Sequence, residues 1–132
     1  MGVVVKREDI AAMSALERKE VLEDVATLVL RGTWRLGEAV RFLRTIVLRK
    51  NRQAFARIVG ISPAALQVLE ESPTANPTLE TLNNVLRPFG GAMGLVFPRM
   101  NPAPPVTETV LRRQAALIDA LAKTRRKKSA GT

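Results

Sequence analysis

The sequence predicts an all-α protein, and three observations carry that prediction. Aromatic residues make up only 4% of the chain, so a core must be built from Leu, Val, Ile and Ala within a hydrophobic fraction of 46%. That mixture suits packed helices better than a sheet. Apolar residues recur at three- and four-residue intervals through much of the chain, the period of a helix face. Ser or Thr stands before several of these runs and Gly or Pro behind them, as helix caps and stops do. With 132 residues the chain is long enough to bury a core without staples.

The elements follow in order. Residues 1–13 open with Gly-Val-Val-Val and then charged residues, and are expected to be loosely held. A helix begins after Ser14, which forms a capping-box pair with Glu17; Val21, Leu22, Val25, Leu28 and Val29 make its apolar stripe, and Gly32 stops it. Thr33 is expected to cap the next helix, where Leu36, Val40, Leu43 and Val47 recur while Arg41, Arg44 and Arg49 take other faces. A shorter helix fits residues 52–59 and ends at Gly60, a residue suited to a left-handed turn. Ser62-Pro63 opens another, with Ser as cap and Pro at the first position, running to about Glu71.

Residues 72–77 hold two prolines and an Asn and read as loop. Thr78 restarts the pattern with Leu79, Leu82, Val85 and Leu86, until Pro88 and Gly90-Gly91 end it. Met93-Gly94-Leu95-Val96-Phe97 is short, apolar and β-leaning, and is expected to be a strand halted by Pro98. Three prolines within residues 101–105 make a stiff linker. Residues 106–123 read as one amphipathic helix capped by Thr107, with Val110, Leu111, Leu117, Ile118 and Leu121 apolar. The basic end beyond it has nothing to bury and is expected to be disordered. The chain thus divides into an N-terminal extension (1–32), a central domain (33–100) and a C-terminal segment (101–132).

Charge narrows the function. The chain carries 21 Lys+Arg against 12 Asp+Glu, a net charge of +9. Residues 35–57 concentrate seven of those cations (Arg35, Arg41, Arg44, Arg49, Lys50, Arg52 and Arg57) against one acid, Glu38. Such a footprint suits a polyanion. There is no His and no Cys. Without the commonest general base and metal ligand an enzyme is not expected, and no cofactor or metal site is indicated. No apolar run reaches the length of a membrane span, and the N-terminus lacks a secretory pattern, so a cytoplasmic location is the default.

The window Arg-Gln-Ala-Phe-Ala-Arg-Ile-Val-Gly-Ile-Ser-Pro-Ala-Ala-Leu-Gln-Val-Leu-Glu-Glu, residues 52–71, meets every demand of two short helices packed steeply about a tight turn. Ala56 is small where the helices touch, and Gly60 supplies the turn. Phe55, Val59, Ile61, Leu66 and Leu69 plug the interface from both sides.

On these residues the stretch from Leu36 to Leu86 resembles the Xre/Cro-type helix-turn-helix domain, a five-helix DNA-binding fold. Gln53 matches the Gln that opens the first helix of the family's motif, and Glu70 the acid that closes the recognition helix. Asn76-Pro77-Thr78-Leu79-Glu80-Thr81-Leu82 is similar to the family's usual opening of its next helix. Through Phe97 the chain is also similar to HipB-like antitoxins, in which a strand after the last helix pairs across a dimer axis. The resemblance implies a five-helix domain followed by a short strand, with double-stranded DNA as the partner; the helices read before and after it complete an all-α fold with an extra N-terminal helix, a short C-terminal strand and a C-terminal helix.

The family generally reads bases with polar side chains near the start of the recognition helix, and this sequence departs from that. Pro63 and Ala64 occupy those positions, with Gln67 and Val68 exposed later. Gln67 is the residue able to make directional bonds, with adenine its natural target, while Ala64, Ala65 or Val68 can touch thymine methyls. Ser62 and Gln53 are placed for phosphates, as are Arg41, Arg44 and Arg52. Specificity should then owe more to DNA shape and half-site spacing. Met93, Leu95, Val96 and Phe97 are the expected dimer contact, because a lone strand leaves its backbone unpaired. The helix after Ser14 either joins that interface or packs on its own chain; the C-terminal helix either packs on the dimer or serves another protein. The leading expectation is a homodimeric repressor on a palindromic operator. Two alternatives stand beside it: an antitoxin that also binds a toxin, and an interaction module that no longer reads DNA. No small-molecule substrate and no membrane are expected.

Overall fold

The computed structural model describes residues 14–95, 97 and 107–130, the last six as backbone only. Among these residues the chain is all-α, with no strand. Helix α1 spans Ala15–Leu30 and α2 spans Leu36–Phe42, continued by a π turn, Leu43–Val47. Then come α3 (Arg52–Val59), α4 (Pro63–Glu71), α5 (Leu79–Leu86) with a 3₁₀ turn at Arg87–Phe89, and α6 (Glu108–Ala130). No helix among the described residues is long and apolar enough to cross a membrane.

Local chemistry explains the helix starts. Ser14, Asn51, Ser62 and Thr78 each accept a hydrogen bond from the backbone N–H three residues on, satisfying a donor the helix cannot. Thr107 does the same for Val110. At α1 the Glu17 carboxylate accepts a hydrogen bond from the Ser14 hydroxyl rather than from the Ser14 N–H, so the expected capping box is only half formed.

Thr33 does not cap α2 as expected. Its N–H and that of Trp34 both donate to the Leu28 carbonyl, folding the chain back over the end of α1 through Gly32, whose φ is 75°. Trp34 is thereby drawn into the core, and Arg35 becomes the residue that opens α2. The Glu38 carboxylate accepts the Arg35 N–H at 3.0 Å.

Two apolar cores share α2. On one side Val40 packs with Phe55, Ala56 and Val59 of α3, Leu66 and Leu69 of α4, and Leu82 and Val85 of α5. On the other, Ala39, Phe42, Leu43 and Ile46 meet Val21, Val25 and Leu28 of α1, Trp34, and Leu117, Ala120 and Leu121 of α6. Two clamps reinforce that second layer. Arg113 of α6 forks onto the buried Asp24 at 2.7 and 2.9 Å, and Arg41 donates to the Leu121 carbonyl at 2.9 Å and to Thr124. The hydrogen bond to Asp24 raises the Arg113 pKa despite its partial burial. Both terminal helices therefore pack on their own chain.

Three expectations are corrected here. The stripe on α6 is narrower than read, because Leu111 and Ile118 are exposed while Gln114 and Ala120 face inward. The backbone of α6 stays helical through Ala130, past the expected end at Lys123 and into the tail thought to be disordered; Ala, Lys and Arg propagate a helix well. Met93, Gly94, Leu95 and Phe97 form no strand. A lone apolar segment finds no second strand among the described residues to complete a ladder, and the Met93 N–H instead donates to Asn83 Oδ1 at 2.8 Å. Val96, residues 1–13, Pro98 and the 101–105 linker lie outside the described residues.

Candidate nucleic-acid interface

The pair α3–α4 is built as its sequence demands. Gly60 holds φ 75° and ψ 31°, and the Ile61 N–H that follows donates back to the Ala56 carbonyl at 3.0 Å. Ala56, 1% exposed, allows the two helices to close. Phe55, Val59, Leu66 and Leu69 are buried between them and Ile61 is half-buried. With that face turned inward, Pro63, Ala64, Gln67 and Val68 of α4 point to solvent; Val68 is 54% exposed.

A polar lock holds α4 from behind. Glu70 is 2% exposed and receives both arms of Arg44, Nε at 2.6 Å and a terminal nitrogen at 2.8 Å. A buried carboxylate needs such pairing, since desolvation is otherwise costly. The remaining Arg44 nitrogen donates to the Lys50 carbonyl at 2.9 Å, and the Lys50 N–H donates to the Arg44 carbonyl. One side chain thus ties the end of α4 to the loop that feeds α3. Arg52 adds a bond to Glu70 at 3.3 Å and a shorter one, 2.6 Å, to Glu71. Burial alone would lower the Arg52 pKa, but the bond to Glu71 and the attraction of both carboxylates hold it above its ordinary value. At the surface Gln67 Nε2 donates to the other oxygen of Glu71 at 3.3 Å.

Backbone contact completes the lock. A Cβ at Gly37 of α2 would sit 2.1 Å from the Leu69 carbonyl oxygen and 3.1 Å from that of Glu70, so only glycine lets α2 and α4 approach this closely. Sequence reasoning passed over Gly37, although a glycine inside a helix is itself a signal of a packing need. It also matched Glu70 to the family without finding its partners, which stand 26 and 18 residues away.

The expected site residues fall into two groups. Gln53, Ser62, Pro63, Ala64, Gln67 and Val68 lie exposed along α3 and α4, with the Ser62 oxygen accepting the Ala65 N–H. The arginines expected on phosphates are engaged within the chain: Arg41 with α6, Arg44 with Glu70, Arg52 with Glu70 and Glu71. Arg49, Lys50 and Arg57 also lie beside the pair, with their side chains exposed. Arg49 adopts φ 60°, a left-handed conformation that a side chain makes costly and that clusters at functional sites.

On the opposite layer an apolar groove of about 340 Å³ runs between α1, α2, the end of α5 and residues 91–94. Met93 lines it; beyond it Leu95 and Phe97 are 90% and 58% exposed. Compared with protein-family models, curated proteins and solved structures, the chain matches none of them.

Proposed function

We propose that the protein is a helix-turn-helix DNA-binding repressor of the Xre/Cro type, acting as a homodimer on a palindromic operator. The observation that supports this best is α4 itself. It is locked from behind by Gly37, Arg44 and Glu70, yet presents an outer face of Pro63, Ala64, Gln67 and Val68 that no element among the described residues covers. A rigid helix exposing small and amide side chains suits a major groove, where each base edge must meet a fixed group. Gln53 and the Ser62 end of α4 sit at helix N-termini, whose backbone dipoles favour phosphate. Arg49, Lys50 and Arg57 supply the positive rim, while Arg52 stays bonded to Glu71.

One such module buries little surface on DNA, so two copies reading successive half-sites are the expected arrangement. Met93, Leu95, Val96 and Phe97 form the dimer contact in this reading, becoming a strand only when paired with their copies across the two-fold axis. Repression follows from occupying a promoter, in the cytoplasm and without a cofactor.

A second reading, an antitoxin that also binds a toxin, is favoured by one observation. The groove on α1 and the exposed Leu111 and Ile118 on α6 are two separate apolar surfaces, more than a single dimer contact uses.

The test is selection from random duplexes followed by mobility shift. Enriched sequences should be palindromic with half-sites about one helical turn apart. With roughly six phosphates neutralised per dimer, log K should fall with log salt at a slope of about −5. A library that enriches no sequence refutes the proposal.

A further inference from the structure

The side chains on the outer face of α4 are not all independent. Gln67 and Glu71 are four residues apart and therefore neighbours on one helix face. The Gln67 nitrogen donates to one Glu71 oxygen, while Arg52 from α3 grips the other at 2.6 Å. Arg52 is in turn bonded to the buried Glu70, which Arg44 fixes. An unbroken chain of charge-assisted bonds thus runs from the core out to the amide of Gln67.

The chemistry of that last link has a direction. A carboxylate only accepts hydrogen bonds, so the nitrogen end of the amide must face Glu71 and its carbonyl must face away. One of the two N–H groups is then occupied. What remains for a base is one acceptor and one donor side by side. Adenine offers the complement in the major groove, a donor at N6 and an acceptor at N7, whereas guanine offers two acceptors, O6 and N7. A free glutamine can rotate to give both N–H groups to guanine; one held by Glu71 cannot. Arg52 also neutralises Glu71, which allows a carboxylate to stand next to a polyanion.

We propose that Glu71, gripped by Arg52, is a positioning residue that sets the polarity of the Gln67 amide and makes it select adenine against guanine. This rests on the reading of α4 as the helix that enters the groove. It also locates specificity in a residue that touches no base.

The test uses the full chain and duplexes derived from the selected operator, with each base pair placed in turn at the position whose effect disappears in Gln67→Ala. The intact protein should prefer A·T to G·C there by about 10-fold or more. In Glu71→Ala that preference should shrink to about 3-fold or less, with binding to unrelated duplex unchanged or tighter because a negative charge is gone. Helical content and melting temperature of the variant show that it is folded. In the free protein, the two Gln67 side-chain N–H resonances should be well separated, and should move to the positions of a solvated glutamine in Glu71→Ala.

If Gln67→Ala abolishes the preference but Glu71→Ala keeps it, the inference fails while DNA reading stands. If the intact protein discriminates at no position, the underlying reading fails and the inference with it. Gln67 resonances already at solvated positions in the intact protein would overturn the tether directly.

Discussion

Replacing Arg44 by Met should destabilise the protein severely. The Arg44 side chain is 8% exposed and that of Glu70 0%. Removing the guanidinium leaves a buried carboxylate with only the longer Arg52 bond, at 3.3 Å. Breaking one side of a buried pair costs about 3–5 kcal/mol. It also orphans the Lys50 carbonyl, adding about 1–3 kcal/mol if water does not reach it. A small domain has about 5–15 kcal/mol in all, so the variant should be partly unfolded at room temperature. Glu70→Leu alone should be nearly as harmful, because it strands Arg44. The double change Arg44→Met with Glu70→Leu should recover most of the loss, since a well-packed apolar pair of similar volume is often neutral or better. The assay is urea unfolding followed by far-ultraviolet circular dichroism and by fluorescence of Trp34, the chain's single Trp, which is buried in the other core. Coincident transitions license the free energies. An Arg44→Met variant within about 1 kcal/mol of the parent would refute the idea that this pair locks α4.

Three further outcomes follow from particular residues. Gly37→Ala should cost about 2–3 kcal/mol or more in the same urea assay, because the 2.1 Å approach is to backbone rather than to a side chain that can turn aside. Arg49→Gly should stabilise by about 0.5–1 kcal/mol by relieving the left-handed strain, while weakening DNA binding and lowering its salt slope by about one per subunit. Leu95→Asp with Phe97→Asp should give a folded monomer by light scattering with dimeric parent protein as reference; a dimer that persists would move the contact elsewhere, the groove on α1 being the next candidate.

What the sequence disclosed was local. Gly60, Ser62, Pro63 and Thr78 announced themselves because a turn or cap depends on the residue type at one position. The packing of Phe55, Ala56, Val59, Leu66 and Leu69 was legible because helical periodicity repeats it. What stayed hidden was long-range. Arg113 meets Asp24 across 89 residues and Arg41 meets Leu121 across 80, and neither spacing leaves a mark in the chain. Charge counts placed arginines near the candidate face but could not show that Arg41, Arg44 and Arg52 are bound to their own fold. Thr33 misled because its hydroxyl suits a cap while the burial of Trp34, next to it, decides where α2 begins. Leu111 and Ile118 were read as part of the apolar stripe of α6, yet Gln114, Leu117, Ala120 and Leu121 take the inner side and leave them outside.

The surface that meets the double helix is the point to test. Amide chemical-shift mapping of the full chain, titrated with a selected duplex at low salt, measures that directly. The largest changes should fall on residues 49–53 and 62–68, with the buried side of α4 and the outer face of α6 quiet. Changes concentrated on α1, α6 or residues 91–95, with Gln67 and its neighbours unmoved, would contradict it.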